Sequence, residues 1–189
     1  CPTGALDQDY RIDARRCIAY LTIEHKGMIP EEYRPKIKDW LFGCDECLLV
    51  CPFTSKEKET NWSEFHPDKG AGMFIEIENL FSIPSGKAFE RMYRGTPLLR
   101  SGLKPLLRNA CIVLGNSGKR EAIPILEKAL IHDSALVRAH AAWALGQLNY
   151  DESKAPLKKA LQREQDPEVM LELKKALSEE RAVRVTQLL

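Results

Sequence analysis

The residues best suited to chemistry are cysteines, and five of the six lie among the first 51 positions. These five are Cys1, Cys17, Cys44, Cys47 and Cys51. Cysteines gathered in one region, with no visible secretory signal, favour metal binding over a disulfide framework. The sixth, Cys111, lies in the apolar helical stretch RNACIVLGN, where we expect a buried thiol with no chemistry.

The spacing of the cysteines indicates iron–sulfur chemistry. In the bacterial ferredoxin run C-x2-C-x2-C-x3-C-P, the fourth cysteine ligates the other cluster of a two-cluster protein. The stretch GCDECLLVCPF reproduces the end of that run, from Cys44 to Cys51 and Pro52, but the position of its first cysteine holds Leu41. Cys17, alone in a helical pattern, is the natural replacement for the missing ligand.

The chain opens on a second Cys-Pro pair, in CPTGAL. This pair resembles the end of another run whose first three cysteines would lie upstream, so we expect an N-terminally truncated chain. One complete 4Fe–4S ligand set is then predicted, with Cys51 serving a second cluster. The predicted set is Cys1, Cys17, Cys44 and Cys47.

Other uses of these thiols remain open. Zinc usually takes two short-spaced pairs of Cys or His, and here a second pair is absent and no histidine falls in a ligand pattern. A structural zinc site and a disulfide framework are the alternatives. The sequence shows no Gly-rich phosphate loop, nucleophile elbow or His-Glu metal helix, so no catalytic residue is predicted in this chain.

The chain divides into three predicted zones. Residues 1–53 hold the cysteines and two short helical patterns, one after Asp13 and one from Pro30 to Gly43. Residues 54–85 read as a linker with one short apolar segment that docks onto a neighbour. Residues 86–189 are helical and repetitive.

The repeat period is close to 30 residues. LLRNACIVLGN matches LVRAHAAWALGQL with Arg108 and Arg138 in register, and PILEKAL matches PLKKAL 31 residues later. Two helices per unit at this period indicate a short HEAT-like α-solenoid that leaves one face for a partner. The predicted fold is therefore mainly α, a ferredoxin-like iron–sulfur module followed by HEAT-like repeats.

The charge of the chain is unevenly distributed, although the formal net charge is only +1. Between residues 86 and 120 the sequence has eight Lys or Arg residues and only one acidic residue, Glu90. Such a block fits either a surface that meets a polyanion or a solvated helix face. No apolar run approaches the length of a membrane span, so we expect no membrane contact.

Four stretches, CPTGAL, RRCIAYLTIEHKG, GCDECLLVCPF and LLRNACIVLGNSG, resemble the C-terminal half of epoxyqueuosine reductases. The resemblance implies a cytoplasmic, monomeric oxidoreductase of queuosine biosynthesis with two 4Fe–4S clusters and an N-terminal cobalamin-binding domain. It would reduce epoxyqueuosine to queuosine in the tRNA anticodon loop, with electrons from a donor protein or a flavin reductase. A chain limited to this half would supply electron relay and tRNA docking, and would be inactive alone.

The resemblance also implies roles for individual residues. Cobalamin contacts are expected at Ala19, Cys44 and Asp45; family members often carry Ser where Ala19 stands, so this chain has no hydroxyl to offer there. Contacts with tRNA are expected at Lys26, Arg94, Arg100, Lys104, Arg108 and Arg138. Phosphate contacts of this kind would supply salt-dependent affinity and positioning.

Two other functions fit the same residues. One is a ferredoxin-type electron carrier fused to a protein-binding α-solenoid, without nucleic acid. The other is a zinc-stabilised scaffold with no redox role. The basic block between residues 86 and 120 weighs against the first, and metal analysis would separate the second.

Overall fold

The computed structural model describes residues 1–7, 9–72 and 74–178. Within these residues the chain forms nine α-helices and no β-strand, which confirms the mainly helical fold. The helices are α1 (Ile18–Ile23), α2 (Glu46–Leu49), α3 (Ile77–Phe81), α4 (Gly86–Met92), α5 (Leu103–Asn116), α6 (Ile123–Ala129), α7 (Ala135–Leu148), α8 (Asp151–Arg163) and α9 (Pro167–Leu177). Short 3-10 helices lie at Ala14–Arg16, Glu31–Tyr33, Pro35–Ile37, Thr54–Lys56, Ser63–Phe65, Pro67–Lys69, Pro97–Arg100 and Arg120–Ala122.

The second half of the chain packs as two layers of helices. Helices α5, α7 and α9 lie side by side in one layer, and α6 and α8 lie against them in the other. This is the stacked arrangement that the 30-residue period predicts. Helix α7 lies between α5 and α9 and is buried on almost every side, including Trp143, which is fully buried. Its sequence is correspondingly apolar around most of the helix.

Local signals fix the ends of several helices. Asp166 caps α9, accepting hydrogen bonds from the backbone N–H groups of Glu168 and Val169, and Pro167 occupies the first helical position. Ser85 caps α4 in the same way. At the end of α7 the chain turns through Asn149, whose φ of 52° is left-handed.

The first zone is more irregular than its sequence pattern predicts. The prediction of one helix between Pro30 and Gly43 is wrong, because the structure has the two 3-10 helices Glu31–Tyr33 and Pro35–Ile37 instead. Pro35 lacks the N–H that an α-helix would need there, and Lys38 takes a positive φ of 54° that ends the turn. Asp13 caps only the 3-10 helix Ala14–Arg16, and α1 begins after an extended Cys17.

Residues 18–41 cover the face that α5, α7 and α9 present together. The Arg34 guanidinium forms a buried, two-point ion pair with Glu172 of α9, at 2.9 and 3.1 Å, and lies 5.6 Å from the centre of the Trp143 ring. His140 of α7 accepts a hydrogen bond from the backbone N–H of Ile29 at 3.3 Å. One face of the repeat stack is therefore covered by the first zone of the same chain, while α6 and α8 keep exposed residues on the other side.

One hydrophobic core joins the two halves of the chain. It runs from Ile18 in α1 to Leu173 in α9 without a break among buried residues. Leu80 of α3 is also fully buried in this core, so the segment before α4 is docked as well. The division at residues 53 and 85 remains a prediction.

Candidate metal centre

Three of the predicted ligands lie close together. Burial raises the pKa of the Cys44 thiol, a hydrogen bond from the backbone N–H of Glu46 lowers it, and the nearby charges of Glu46, Cys17 and Cys47 raise it again. Cys17 is the residue before α1, while Cys44 and Cys47 flank the start of α2. Two segments 27 residues apart in sequence thus bring their thiols to one place.

Cys1 lies near Glu46, the first residue of α2. The carboxylate of Glu46 has a lowered pKa because it accepts a hydrogen bond from Lys38 at 3.0 Å, with smaller effects of Trp40 and the N-terminal ammonium of Cys1. The Cys1 sulfur accepts a hydrogen bond from the backbone N–H of Ala5 at 3.3 Å. A backbone N–H aimed at sulfur stabilises a thiolate ligand and influences the potential of a cluster.

The thiols meet the chemical requirement for an iron–sulfur cluster. All six cysteines are free of disulfide bonds, and only Cys111 is buried. Within the described residues no three His, Cys, Asp or Glu side chains are arranged to hold a metal ion. A cubane distributes its thiolates over separate irons, so its ligands lie farther apart than those of one ion. Free thiols on three neighbouring segments are the donor set that such a cluster needs.

Cys51 follows α2 and is half-buried. Hydrogen bonds from the backbone N–H groups of Phe53 and Thr54 lower the pKa of its thiol. It is not among the groups that act on the pKa of Cys44. This placement is compatible with the prediction that Cys51 serves a different cluster, which remains a prediction.

A buried polar network, missed in the sequence, holds the two ligand segments together. The Thr22 hydroxyl of α1 accepts a hydrogen bond from the backbone N–H of Gly43 at 3.0 Å, directly before Cys44. Asn109 of α5 donates to the Thr22 carbonyl at 2.8 Å and to the Leu41 carbonyl at 3.0 Å. The sequence did contain one signal of this network, because Asn109 is a polar residue within the apolar face of α5.

Arg108 belongs to this network, and its predicted contact with tRNA is wrong for this structure. Its guanidinium is fully buried and donates to the carbonyls of Leu21, His25 and Gly27 at 2.7 to 2.8 Å. It also donates to the side-chain oxygen of Asn109. A guanidinium with no exposed surface cannot meet a phosphate, because phosphate contact requires an accessible donor.

Arg138, which occupies the matching repeat position, is also largely engaged. It forms a two-point ion pair with Glu164 at 2.7 and 2.9 Å and donates to the carbonyls of His132 and Asp133. The hydrogen bond from Arg138 lowers the pKa of Glu164 to about 2. Its side chain keeps 18% of its surface exposed, which leaves little room for a phosphate.

The other predicted tRNA contacts differ in how accessible they are. The Lys26 ammonium donates to the backbone carbonyls of Ile23, Arg100 and Ser101, although the residue is exposed. Arg100 is exposed and forms an ion pair with Glu24. Arg94 and Lys104 are exposed, one after α4 and the other in the first turn of α5.

The predicted cobalamin contacts lie at the cysteine group. Ala19 and Cys44 are half-buried and Asp45 is exposed, so each keeps surface that a corrin ring could contact. Ala19 is two residues after Cys17 and Asp45 is directly after Cys44. The three residues fit a cofactor placed against the cysteine group.

Comparison with known families and proteins agrees with this geometry. Residues 1–54 match a family described as a 4Fe-4S double cluster binding domain, and residues 96–178 match HEAT repeats. An epoxyqueuosine reductase of Xanthomonas campestris pv. campestris is 43% identical over 148 residues, which make up 78% of this chain and 41% of that protein. The chain belongs to the epoxyqueuosine reductase family.

Two further relatives define how far the similarity extends. An uncharacterized protein of Geobacillus stearothermophilus is 39% identical over 178 residues, 94% of this chain and 81% of that protein. A crystal structure of an epoxyqueuosine reductase with an epoxyqueuosine-modified tRNA stem loop matches with a TM-score of 0.85 at 34% identity, over 94% of this chain and 47% of that one. The chain thus spans less than half the length of the named epoxyqueuosine reductases that it matches.

In the described part of the chain, no helix is long and apolar enough to cross a bilayer.

Proposed function

We propose that this chain forms the iron–sulfur and tRNA-docking part of an epoxyqueuosine reductase. The observation that supports it most is the grouping of Cys17, Cys44 and Cys47, with Cys1 near Glu46, in a member of this family. The four thiolates would hold one 4Fe–4S cluster, and Cys51 would ligate a second.

The reaction defines what the chain has to supply. Conversion of an epoxide to an alkene removes one oxygen as water and consumes two electrons and two protons. Bound cobalamin would supply the reductive chemistry at the epoxide. Residues of this chain would hold the relay of electrons that arrive from a donor protein or a flavin reductase, and would position the tRNA.

The arrangement of this chain is suited to that relay. Two ligand segments are fixed to each other by Thr22 and Asn109, and both rest on α5. Electron transfer is favoured when a cluster and its surroundings change little between oxidation states, and a rigid, buried support provides this. Ala19 and Asp45 would face the cobalamin on the exposed side of the thiols.

The proposal is tested by iron and acid-labile sulfide analysis after anaerobic reconstitution. Cys17→Ser removes one predicted ligand, whereas Cys111→Ala removes a buried thiol that no cluster can reach and serves as the matched control. We expect about four irons and four sulfides per chain in the wild type and in Cys111→Ala. Cys17→Ser should lose most of both and the visible absorption of the cluster.

Other outcomes would redirect the proposal. Zinc without sulfide would favour the scaffold alternative. A cluster with full iron content in Cys17→Ser would show that Cys17 is not a ligand. A normal cluster in a chain that binds no tRNA would favour the electron carrier with a protein-binding solenoid.

A further inference from the structure

Arg108 is a buried cation whose hydrogen-bond partners are all neutral. Three of them are the backbone carbonyls of Leu21, His25 and Gly27, and the fourth is the Asn109 side-chain oxygen. In the part of the chain that the structure describes, no carboxylate forms an ion pair with this guanidinium. Burial lowers its pKa to about 10, so it remains charged at neutral pH.

A cation in such surroundings requires compensation. Moving a charge out of water costs free energy, and neutral carbonyls return only part of it. The other buried arginine, Arg34, has a carboxylate partner in Glu172. Arg108 has none among the described residues, which raises the question of which negative group compensates it.

Hydrogen bonds link Arg108 to both segments that carry the predicted ligands. It binds the carbonyl of Leu21, whose own N–H donates to the Cys17 carbonyl at 2.9 Å, one helical turn away. Four residues of α-helix correspond to about 6 Å along the axis. Through Asn109 it also reaches the Leu41 carbonyl, three residues before Cys44.

We propose that Arg108 acts as a fixed positive charge that raises the reduction potential of the cluster bound by the cysteine group. This inference rests on the proposed function. A cubane with four thiolates is net negative, and reduction adds one more electron to it. A nearby buried cation therefore stabilises the reduced form more than the oxidised form.

Burial makes this charge effective at a distance. The interior has a much lower effective dielectric constant than water, so the attraction extends over the turn of α1 that separates Arg108 from Cys17. Ions in solution screen exposed charges but have little effect on buried ones. Arg100, which is exposed and paired with Glu24, lies in the same region and offers the contrast.

The test is a dithionite titration of the reconstituted chain that measures the midpoint potential of the cluster. Arg108→Gln removes the charge and keeps some hydrogen bonding, Arg108→Lys keeps the charge, and Arg100→Gln is the exposed control. We expect a clear shift to lower potential in Arg108→Gln only, unchanged between low and high salt. Arg108→Lys should stay near the wild type at neutral pH.

Arg108→Lys also covers the case in which Arg108→Gln does not fold. A buried lysine loses its proton at a lower pH than a buried arginine, so the potential of this variant should fall as the pH rises from 7 to 9.5. The titratable groups near Arg108, namely His25, Lys26 and His140, are common to all variants, so comparison with the wild type at each pH removes their contribution.

The outcomes distinguish this inference from the proposed function. Equal potentials in the wild type, Arg108→Gln and Arg108→Lys at every pH would leave Arg108 as an anchor only. Equal shifts in both variants would point to altered geometry and also contradict the role of the charge. If the wild type holds no iron–sulfur cluster at all, the proposed function fails first.

Discussion

At the scale of single residues, the buried polar groups of this chain join its two halves. His140 of α7 donates from Nδ1 to the Leu136 carbonyl at 2.8 Å and accepts at Nε2 from the N–H of Ile29 at 3.3 Å. These partners require the neutral ring, since a protonated Nε2 could not accept. Burial holds the pKa of His140 well below its usual value, and the nearby charge of Arg34 lowers it further.

The stability of the chain should consequently fall in mild acid. The unfolded chain takes up a proton on His140 near pH 6.5, whereas the folded chain does so only at a lower pH. The contribution is fully present above about pH 6.5 and is lost as the pH falls from there towards the folded pKa, at up to about 1.4 kcal/mol per pH unit. Urea unfolding of the metal-free chain between pH 8 and 5 measures it.

His140→Gln provides the comparison for this prediction. The amide can still accept and donate but does not titrate in this range, so the variant should be less stable at pH 8 and have a flatter pH dependence. His132, whose pKa burial also lowers, is present in both proteins and cancels in the difference. Parallel pH profiles for the two proteins would contradict the assignment.

At the scale of elements, the contact between α5 and α7 depends on a glycine. A Cβ atom on Gly115 would lie 2.9 Å from both Cα and Cβ of Ala144 and 3.1 Å from the Trp143 ring. In an open helix, Gly→Ala stabilises by up to about 1 kcal/mol. Here the backbone of α7 would have to move, so Gly115→Ala should destabilise the chain by about 1–3 kcal/mol.

Chemical denaturation measures this change, and Gly86→Ala is its control. Gly86 begins α4, and a Cβ there would meet nothing within 4 Å. This second variant should be neutral or slightly more stable than the wild type. If Gly115→Ala also proved neutral, the close approach of α5 and α7 would not be as tight as the structure has it.

The sequence predicted those elements whose signals are local. The cysteine spacing, the 30-residue period and the helical class follow from residue order alone, because ligand runs and repeats are local patterns. The burial of Arg108 could not be predicted from these patterns, since the repeat register shows on which face of a helix a residue lies but not which segment covers that face. The helix predicted from Pro30 failed because Pro35 and the left-handed Lys38 outweighed the start and stop signals.

At the scale of the whole molecule, the first zone covers one face of the repeat stack. Arg34 with Glu172 and Lys175 with Glu31 bind it to α9, at the far end of the repeat stack. The repeats therefore support the cysteine group, and the tRNA of the proposed function would have to approach the chain elsewhere. Among the cations first predicted to meet tRNA, Arg94 and Lys104 stay exposed near the junction of α4 and α5.

These two cations should carry part of the affinity for tRNA. Each phosphate contact releases counterions, so the logarithm of affinity falls linearly with the logarithm of salt concentration. The double variant Arg94→Gln, Lys104→Gln should bind a tRNA anticodon stem loop more weakly. Its salt dependence should be shallower by about one unit of slope for each phosphate that the variant no longer neutralises. Binding curves at several salt concentrations measure both quantities.

The double variant Lys158→Gln, Lys159→Gln is the matched control for this experiment, because it also removes two exposed cations and both lie on α8, away from the junction of α4 and α5. It should leave both affinity and slope unchanged. An equal loss of affinity in the control would mean that net charge, and not a defined surface, attracts the RNA. Unchanged binding in the Arg94→Gln, Lys104→Gln variant would move the docking surface away from the junction of α4 and α5. Lys26 and Arg100, which already donate to acceptors within the chain, would then be the next cations to substitute.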